Sequence, residues 1–445
     1  MKKISKLVGL AAVVLSSTMV SCSSSEEESV DLGEAKTVVN MLSEAQPVQL
    51  TEAQRVFAND NNGFTLNFLK TVNDVDKSGK SFIYSPLSIT YVLGMVNDAA
   101  VGETEKELEQ TLGFHEGGIK AVNDYCKKLI DGLPKVDDKV TLNIANAIFV
   151  NKDYTLKPQF QQDTQSYYDA KAESLDFSSP KTLGHINGWC NDKTNGMIPT
   201  ILDEVKPEMV SYLLNAIYFK ADWASKFDQK NTKEEIFHPE YEYLMDITNP
   251  IKVPLMHQNV LIQYLNPTLN GTYSAIEMPY GNGYWKMMVM LPEEGKTTDD
   301  IINLLAKNGL YYGGDCDNGF FPYEVDLKLP RFETSSDTND LKDGLIDLMQ
   351  KMGINRAFIN GLAEIPNMSD VPVYIAMMRQ KAKIKVNEEG SEAAAVTVAG
   401  MTEMTAIGHP VEYPKATFHA NRPFVYVIQE ASSGVILFVG KYTGS

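Results

Sequence analysis

Apolar positions along the chain change their spacing several times, and each change marks an element. Thr51, then Glu52 and an amphipathic run to Val72, predicts a first helix. Ser85-Pro86 predicts the start of a second. Serine caps free backbone N–H groups, and proline at the first helical position gives up an N–H that has no partner there. Residues 87–100 are largely apolar, which predicts a helix buried on most sides. Glu103 to Leu112 reads as a third helix, acidic at its positive end and stopped by Gly113.

Strand patterns then interleave. Residues 141–150 (TLNIANAIFV) and 211–220 (SYLLNAIYFK) are almost continuously apolar, as central strands covered on both faces should be. Residues 323–329 alternate, with Val325, Leu327 and Leu329 inward and Glu324, Asp326 and Lys328 outward. Residues 382–386 (AKIKV) do the same, and 424–428 with 435–439 read as a terminal hairpin. Helices dominate the first half and strands the second, with no internal repeat and no Pro/Gly linker. The pattern predicts one mixed α+β domain over 51–445.

Composition agrees with a folded chain: of 445 residues, 43% are hydrophobic and 22% charged. Net charge is −18, which disfavours nucleic-acid phosphates as partners. The first 21 residues have another character. Lys2, Lys3 and Lys6 precede an apolar stretch from Leu7 to Leu15 that is too short to span a bilayer. Small residues and Cys22 follow. This reads as a secretory signal over 1–21, and the junction is similar to a lipoprotein lipobox in which Cys22 becomes the lipidated first residue. Ser23 to Glu28 resembles the acidic surface-export tag of Bacteroidetes lipoproteins, and residues 22–50 read as a flexible acidic tether. The expected location is the outer membrane, lipid-anchored and exposed at the cell surface. The remaining cysteines, Cys126, Cys190 and Cys316, are odd in number and lack a CxxC spacing. They are expected to be buried or free thiols.

Motifs of catalysis are missing from the sequence. None of the six histidines sits in a close metal-ligand spacing, and GxSxG, GxxxxGK[ST] and GxGxxG do not occur. Gly281-Asn282-Gly283 lies between two strand patterns and reads as a turn. No enzyme activity, cofactor or metal is expected.

Residues 388–399 (EEGSEAAAVTVA) do not behave like ordinary structure. As a strand, one face carries Ser391, Ala393, Ala395 and Thr397, all small; the other carries Glu392, Ala394 and Val396. Such a ribbon could slide between two existing strands, with Gly390 as a hinge. On these residues alone an alanine-faced helix fits equally well. Glu388-Glu389-Gly390-Ser391-Glu392-Ala393-Ala394-Ala395 resembles the proximal hinge of inhibitory serpins, suicide inhibitors of proteases. Further segments across the chain are similar to that family: Tyr84 to Ile89, Lys193 to Gly196, Asn215 to Trp223, Leu329 to Phe332, and Arg422 to Phe424.

The resemblance implies an α+β serpin fold, with about nine helices, three β-sheets including a large central one, and an exposed reactive loop. It implies a monomer whose partners are target proteases, held as covalent acyl-enzymes while the loop inserts as a new strand. It pairs Glu388 with Arg331 in an exposed salt bridge and places Trp223 at the entry to the central sheet. It gathers Ser85, Ser88 and Asn215 in a polar cluster, with Gln380 where the family has histidine. The family's spacing from Glu388 puts the scissile bond at Met404–Thr405. The segment after Met404 is longer than usual, so Met401–Thr402 and Ile407–Gly408 remain alternatives. An unbranched apolar residue there suits elastase-, chymotrypsin- or subtilisin-like pockets. The competing readings are a non-inhibitory serpin used for binding or structure, and a glycan-binding surface lipoprotein.

Overall fold

The computed structural model describes residues 46–115, 117–239, 250–310, 319–391 and 412–444. Helix α1 (Glu52–Val75) opens with a capping box between Thr51 and Gln54, and buries Phe57, Phe64, Phe68, Leu69 and Val72. The packed chain starts slightly earlier than the sequence implies. Val48 and Leu50 are buried, and the Val48 amide donates to Ser432 Oγ at 2.8 Å. The tether expected to reach residue 50 therefore ends before Val48, because these two side chains have apolar surface to cover.

Strand β1 (Phe82–Tyr84) leads into α2 (Pro86–Ala99), capped by Ser85 and buried nearly throughout. Helix α3 (Gly102–Leu112) stops at Gly113. There φ is +85°, and a Cβ would lie 2.7 Å from the Asp60 backbone. Helix α4 (Gly118–Gly132), β2 (Thr141–Asn151), α5 (Pro158–Tyr168), β3 (Lys171–Leu175), α6 (Thr182–Lys193) and β4 (Ser211–Asp222) complete the first half. The second half is mostly strand: β5 (Lys233–Phe237), β6 (Ile251–Leu265), β7 (Tyr273–Pro279) and β8 (Trp285–Pro292). After α7 (Thr298–Asn308) come β9 (Phe320–Pro330), β10 (Phe332–Asp337) and α8 (Gly344–Met352). Then follow β11 (Met378–Val386), β12 (Gly390–Ser391), β13 (Lys415–His419), β14 (Phe424–Glu430) and β15 (Ile436–Tyr442). Among the described residues there are eight α-helices, and no helix is long and apolar enough to cross a membrane.

The strands form two hydrogen-bonded sheets. One has nine strands, ordered β1-β15-β14-β8-β7-β6-β9-β13 with β5 also on β6. The other has six, ordered β10-β11-β12-β4-β2-β3. Two of the three expected sheets are continuous here because β6 is long enough to serve both. Its first residues, Ile251–Leu255, pair β5, Leu255–Leu265 pair β9, and Gln263–Leu265 also pair β7. In β9, Val325, Leu327 and Leu329 are buried, the predicted face.

The apolar strands β2 and β4 sit inside the six-stranded sheet and are covered on both faces. Phe149, Tyr212, Leu214 and Ala216 pack against Ile186 and Cys190 of α6. Ile148, Leu213, Ile217 and Phe219 face the main core. Cys126 and Cys190 are buried free thiols, and burial pushes each up to about 12, so neither is a thiolate at neutral pH. Cys316 lies outside the described residues. Gly281 and Gly283 take positive φ in the turn between β7 and β8, where the Asn282 amide donates to Asp137 Oδ2 at 2.7 Å.

Candidate functional site

The predicted hinge lies at one end of the six-stranded sheet. After β11 the chain reverses at Asn387, whose Oδ1 accepts the amides of Glu389 at 3.0 Å and Gly390 at 3.2 Å. This returns Gly390 and Ser391 as β12, between two strands. Ser391 lies opposite Val386 of β11, and Gly390 and Ser391 lie opposite Asp222 and Ala221 of β4. Only glycine fits at 390: φ is +151°, and a Cβ would fall 2.2 Å from the Ala221 carbonyl oxygen.

At the sheet's other end β11 and β4 pair directly and in parallel, Met378–Lys381 with Leu213–Ala216. Between these zones, among the described residues, the facing edges of 382–385 and 217–220 carry no ladder partner. The two strands thus part as they approach the hinge, and β12 occupies the mouth of the opening.

Aromatic and charged groups pin β12. Ser391 Oγ and Tyr280 OH are 2.9 Å apart. The Tyr280 ring stacks on Trp223, centroids 4.3 Å apart and planes 11° from parallel. Trp223 Nε1 donates to the Asn387 carbonyl at 2.9 Å. Burial pushes the Tyr280 phenol far above its ordinary value, against the opposing bond from Ser391, so it remains a neutral hydrogen-bonding group. Lys226 Nζ bonds Asp222 at 2.9 Å and Glu389 at 2.8 Å. Burial alone would lower this lysine, but the two carboxylates outweigh it and hold the ammonium above the usual lysine range.

Arg331 Nη2 meets Glu388 Oε1 at 2.7 Å, the predicted pair. Only its arginine lies at the surface, where the whole pair was expected. The Glu388 side chain is 4% exposed and also accepts from Thr232 Oγ1 at 2.6 Å, whereas Arg331 is 48% exposed. Removing Arg331 would leave a carboxylate in a place poor in water.

The second predicted cluster lies where β11 and β4 still touch. Gln380 Nε2 donates to the Ser85 carbonyl at 2.9 Å and to Asn215 Oδ1 at 2.8 Å, and its Oε1 accepts the Ser85 amide at 3.0 Å. Asn215 Nδ2 donates to Asn146 Oδ1 at 2.9 Å. Ser85 Oγ donates to the Leu437 carbonyl at 2.7 Å and lies 3.1 Å from Ser88 Oγ. Thr338 Oγ1 accepts the Gln380 amide at 3.0 Å. Every member is buried. The glutamine fills its position by using both ends of its amide.

The structure therefore brings together Glu388, Glu389, Gly390, Ser391, Trp223 and Arg331 at the hinge, and Ser85, Ser88, Asn215 and Gln380 at the second cluster. Glu392, Ala393, Ala394, Ala395, Met404, Thr405 and Cys22 lie outside the described residues. Sequence reasoning did not single out Lys226, Thr232, Tyr280, Asn387, Asn146 or Thr338. For Asn146 a signal existed: it is one of two asparagines in the otherwise apolar run TLNIANAIFV.

The six-stranded sheet thus has a parted pair of strands, β11 and β4, with the two-residue strand β12 between them. The family model described as serpin (serine protease inhibitor) matches residues 59–444. The chain belongs to the serpin family. Serpins are protease inhibitors and generally not catalysts themselves. Serpin B6 of Macaca fascicularis is 30% identical over 402 residues, covering 87% of this chain and 99% of its own. Among solved serpin structures, the thermophilic serpin tengpin in its native state is 27% identical with TM-score 0.71, covering 91% of this chain and 98% of its own. Human thyroxine-binding globulin in complex with its hormone is 25% identical with TM-score 0.71, covering 87% and 98%.

Proposed function

We propose that this serpin is a suicide inhibitor of serine proteases, with cysteine proteases accessible to the same chemistry. The nucleophile of the target attacks the carbonyl of Met404. The bond to Thr405 breaks, the Thr405 amine leaves, and the enzyme stays esterified to Met404. The freed loop then runs down between β11 and β4, carrying the enzyme with it, and the distorted enzyme fails to complete deacylation. The observation that carries this reading is the start of β12 between two parted strands. Elastase-, chymotrypsin- and subtilisin-like enzymes are the expected targets.

Extending the antiparallel register of Ser391 gives each entering residue a defined environment. Ala393 would meet Ile384 and Phe219, and Ala395 would meet Ala382 and Ile217, where bulk has no room. Glu392 would face outward between Lys385 and Lys220. Thr397 would arrive beside Gln380 and Asn215, where a hydroxyl can replace the bond those two now share. Each ladder bond contributes about 1 kcal/mol net. A dozen or so such residues match the ~5–15 kcal/mol stability of an average domain. The uncleaved form is then kinetically trapped above the inserted one.

The test is a protease panel read on denaturing gels, with melting curves of intact and loop-cleaved protein. An adduct that survives denaturant, and a cleaved form that melts much later, are expected. A chain that is merely nicked, with no later melting, is a serpin used for binding instead. For location, we propose a lipid on Cys22 anchoring the chain to the outer membrane. Mass spectrometry of the mature N-terminus, and release of a Cys22→Ala variant from the membrane fraction, check this.

A further inference from the structure

Three strands of the nine-stranded sheet meet at one aspartate on its outward face. β13 is the edge strand and runs parallel to β9, Lys415–His419 against Glu324–Lys328. β6 lies on the other side of β9, with His257 opposite Lys328 and Asn259 opposite Asp326. Alternation puts His257, Asp326, Lys328 and His419 on the same face. Both imidazoles turn to Asp326. His257 Nε2 lies 2.7 Å from Oδ1, and His419 Nε2 lies 3.0 Å from Oδ2. Each oxygen of the carboxylate thus serves a different neighbouring strand, and all three side chains are partly exposed.

Other charged groups flank the three. Lys328, between the two histidines in the ladder, is held by Glu235 of β5 at 2.6 Å. Glu324 and Lys415 meet across β9 and β13 at 3.5 Å. His238, just past β5, donates its backbone amide to the Asn421 carbonyl at 2.8 Å, beyond the end of β13. Burial alone would raise Asp326, but the two imidazoles outweigh it and hold the carboxyl below the usual range. It is therefore an anion wherever imidazole changes charge. A neutral imidazole offers that anion an ordinary hydrogen bond, and a protonated one offers a charge-assisted bond roughly twice as strong. A second proton on the trio is opposed by the first and by Lys328, so the gain is that of one partly screened ion pair, not two.

His419 is the member that restrains movement. β13 turns Phe418 inward, fully buried, and His419 outward onto Asp326. Residues 392–411 run from β12 to β13, so β13 holds the far end of the bait. On the insertion reading the near end leaves once the bond is cut, and the far end has to stay in place until then, to present that bond.

We propose that Asp326 is a positioning residue which, through His419, fixes β13 and the far end of the bait on the sheet more firmly in acid than at neutral pH. The contact stands on its own geometry, and its consequence for the bait rests on the insertion reading. The extra hold is fully present on the acid side, where the imidazoles are charged, and is lost as pH rises through their titration. Asp326 reverses this only in strong acid, where it takes up its own proton.

Hydrogen exchange of the β13 amides, read by mass spectrometry on the full chain, tests this without a known target. Rates are divided by the intrinsic rate at each pH and referred to β15 of the same sheet. In wild type at low salt, β13 should open about fivefold less often at about pH 5.5 than at about pH 8. High salt should shrink that ratio. Asp326→Asn keeps the shape and an acceptor, and His419→Gln keeps a donor, but neither can form the charged pair, so both should be flat with pH. His257→Gln leaves His419 on Asp326 and should keep the dependence. A flat wild type, or a wild-type slope that survives in Asp326→Asn or His419→Gln, overturns the proposal. A slope lost in His257→Gln but kept in His419→Gln overturns it too, since β13 is then not the strand being held. If cleaved wild type melts no later than intact, the insertion reading falls separately: the pH-dependent contact stands, and only its consequence for the bait is lost.

Discussion

The two clusters along the β4–β11 seam are built from opposite materials. The hinge corner is ionic and open on one side: Lys226, Glu389, Asp222 and Arg331 hold it with partly exposed charges that water can replace, and Glu388 alone among its charges is buried. The cluster around Gln380 is neutral, buried and saturated. Contacts of the first kind can be exchanged one at a time, each step softened by hydration. In the second, a bond broken without replacement leaves a donor or acceptor dry, at ~1–3 kcal/mol each. Under the insertion reading the corner guides entry and the neutral cluster sets the barrier. On that reading the loop must deliver its own polar group there, and Thr397 would bring a hydroxyl if the register of Ser391 is continued.

The largest effect should come from blocking the space between the strands. Ala393→Arg is expected to turn the inhibitor into a substrate, cleaved by target enzymes with no adduct on denaturing gels. Next comes the neutral cluster. Gln380→Leu leaves the Ser85 amide, the Ser85 carbonyl and Asn215 Oδ1 short of partners and should cost the intact form ~3 kcal/mol, measured by urea unfolding. Gly390→Ala forces a Cβ onto the Ala221 carbonyl and should expel β12 at a cost of ~1–3 kcal/mol, seen as faster exchange of the Ser391 amide. At the charged corner, Glu388→Gln takes the charge out of a buried position, keeps an acceptor for Thr232 and leaves only the half-exposed Arg331 unpaired, so it should cost only about 1 kcal/mol by the same unfolding assay. If it costs more than Gln380→Leu, the assignment of guide and barrier is reversed.

The smallest effect is in pH. Lys226 is held above its ordinary value, so the stability from its pairs is fully present below the unfolded-lysine value of about 10.4 and is lost as pH rises through the higher folded value. The difference in β12 exchange between Lys226→Met and wild type should therefore stay constant from neutral pH upward and shrink only in strong alkali.

Much of this was legible before any coordinates. The continuous apolar runs of β2 and β4 predicted strands covered twice, and α6 and the main core supply the two covers. The hinge and its arginine partner followed from a contiguous motif and one family match. What stayed hidden was contact across distance in the chain. Tyr280 reaches Ser391, Lys226 reaches Glu389 and Thr232 reaches Glu388, each joining segments more than a hundred residues apart. A lone tyrosine or lysine beside a turn carries no local sign of such a role. Exposure was equally hidden: Glu388 reads as a surface charge until the fold lays Phe227 and Thr232 over it, where Phe227 donates its amide to the Glu388 carbonyl at 2.9 Å.

Trp223 deserves a use of its own. Of three tryptophans in the chain, it donates its indole N–H to the hinge turn and stacks on the tyrosine that grips Ser391. Any departure or advance of the loop alters the polarity and the quenching around that ring. Under the insertion reading the molecule thus carries its own optical probe, and entry of the loop can be followed in real time without attaching a dye.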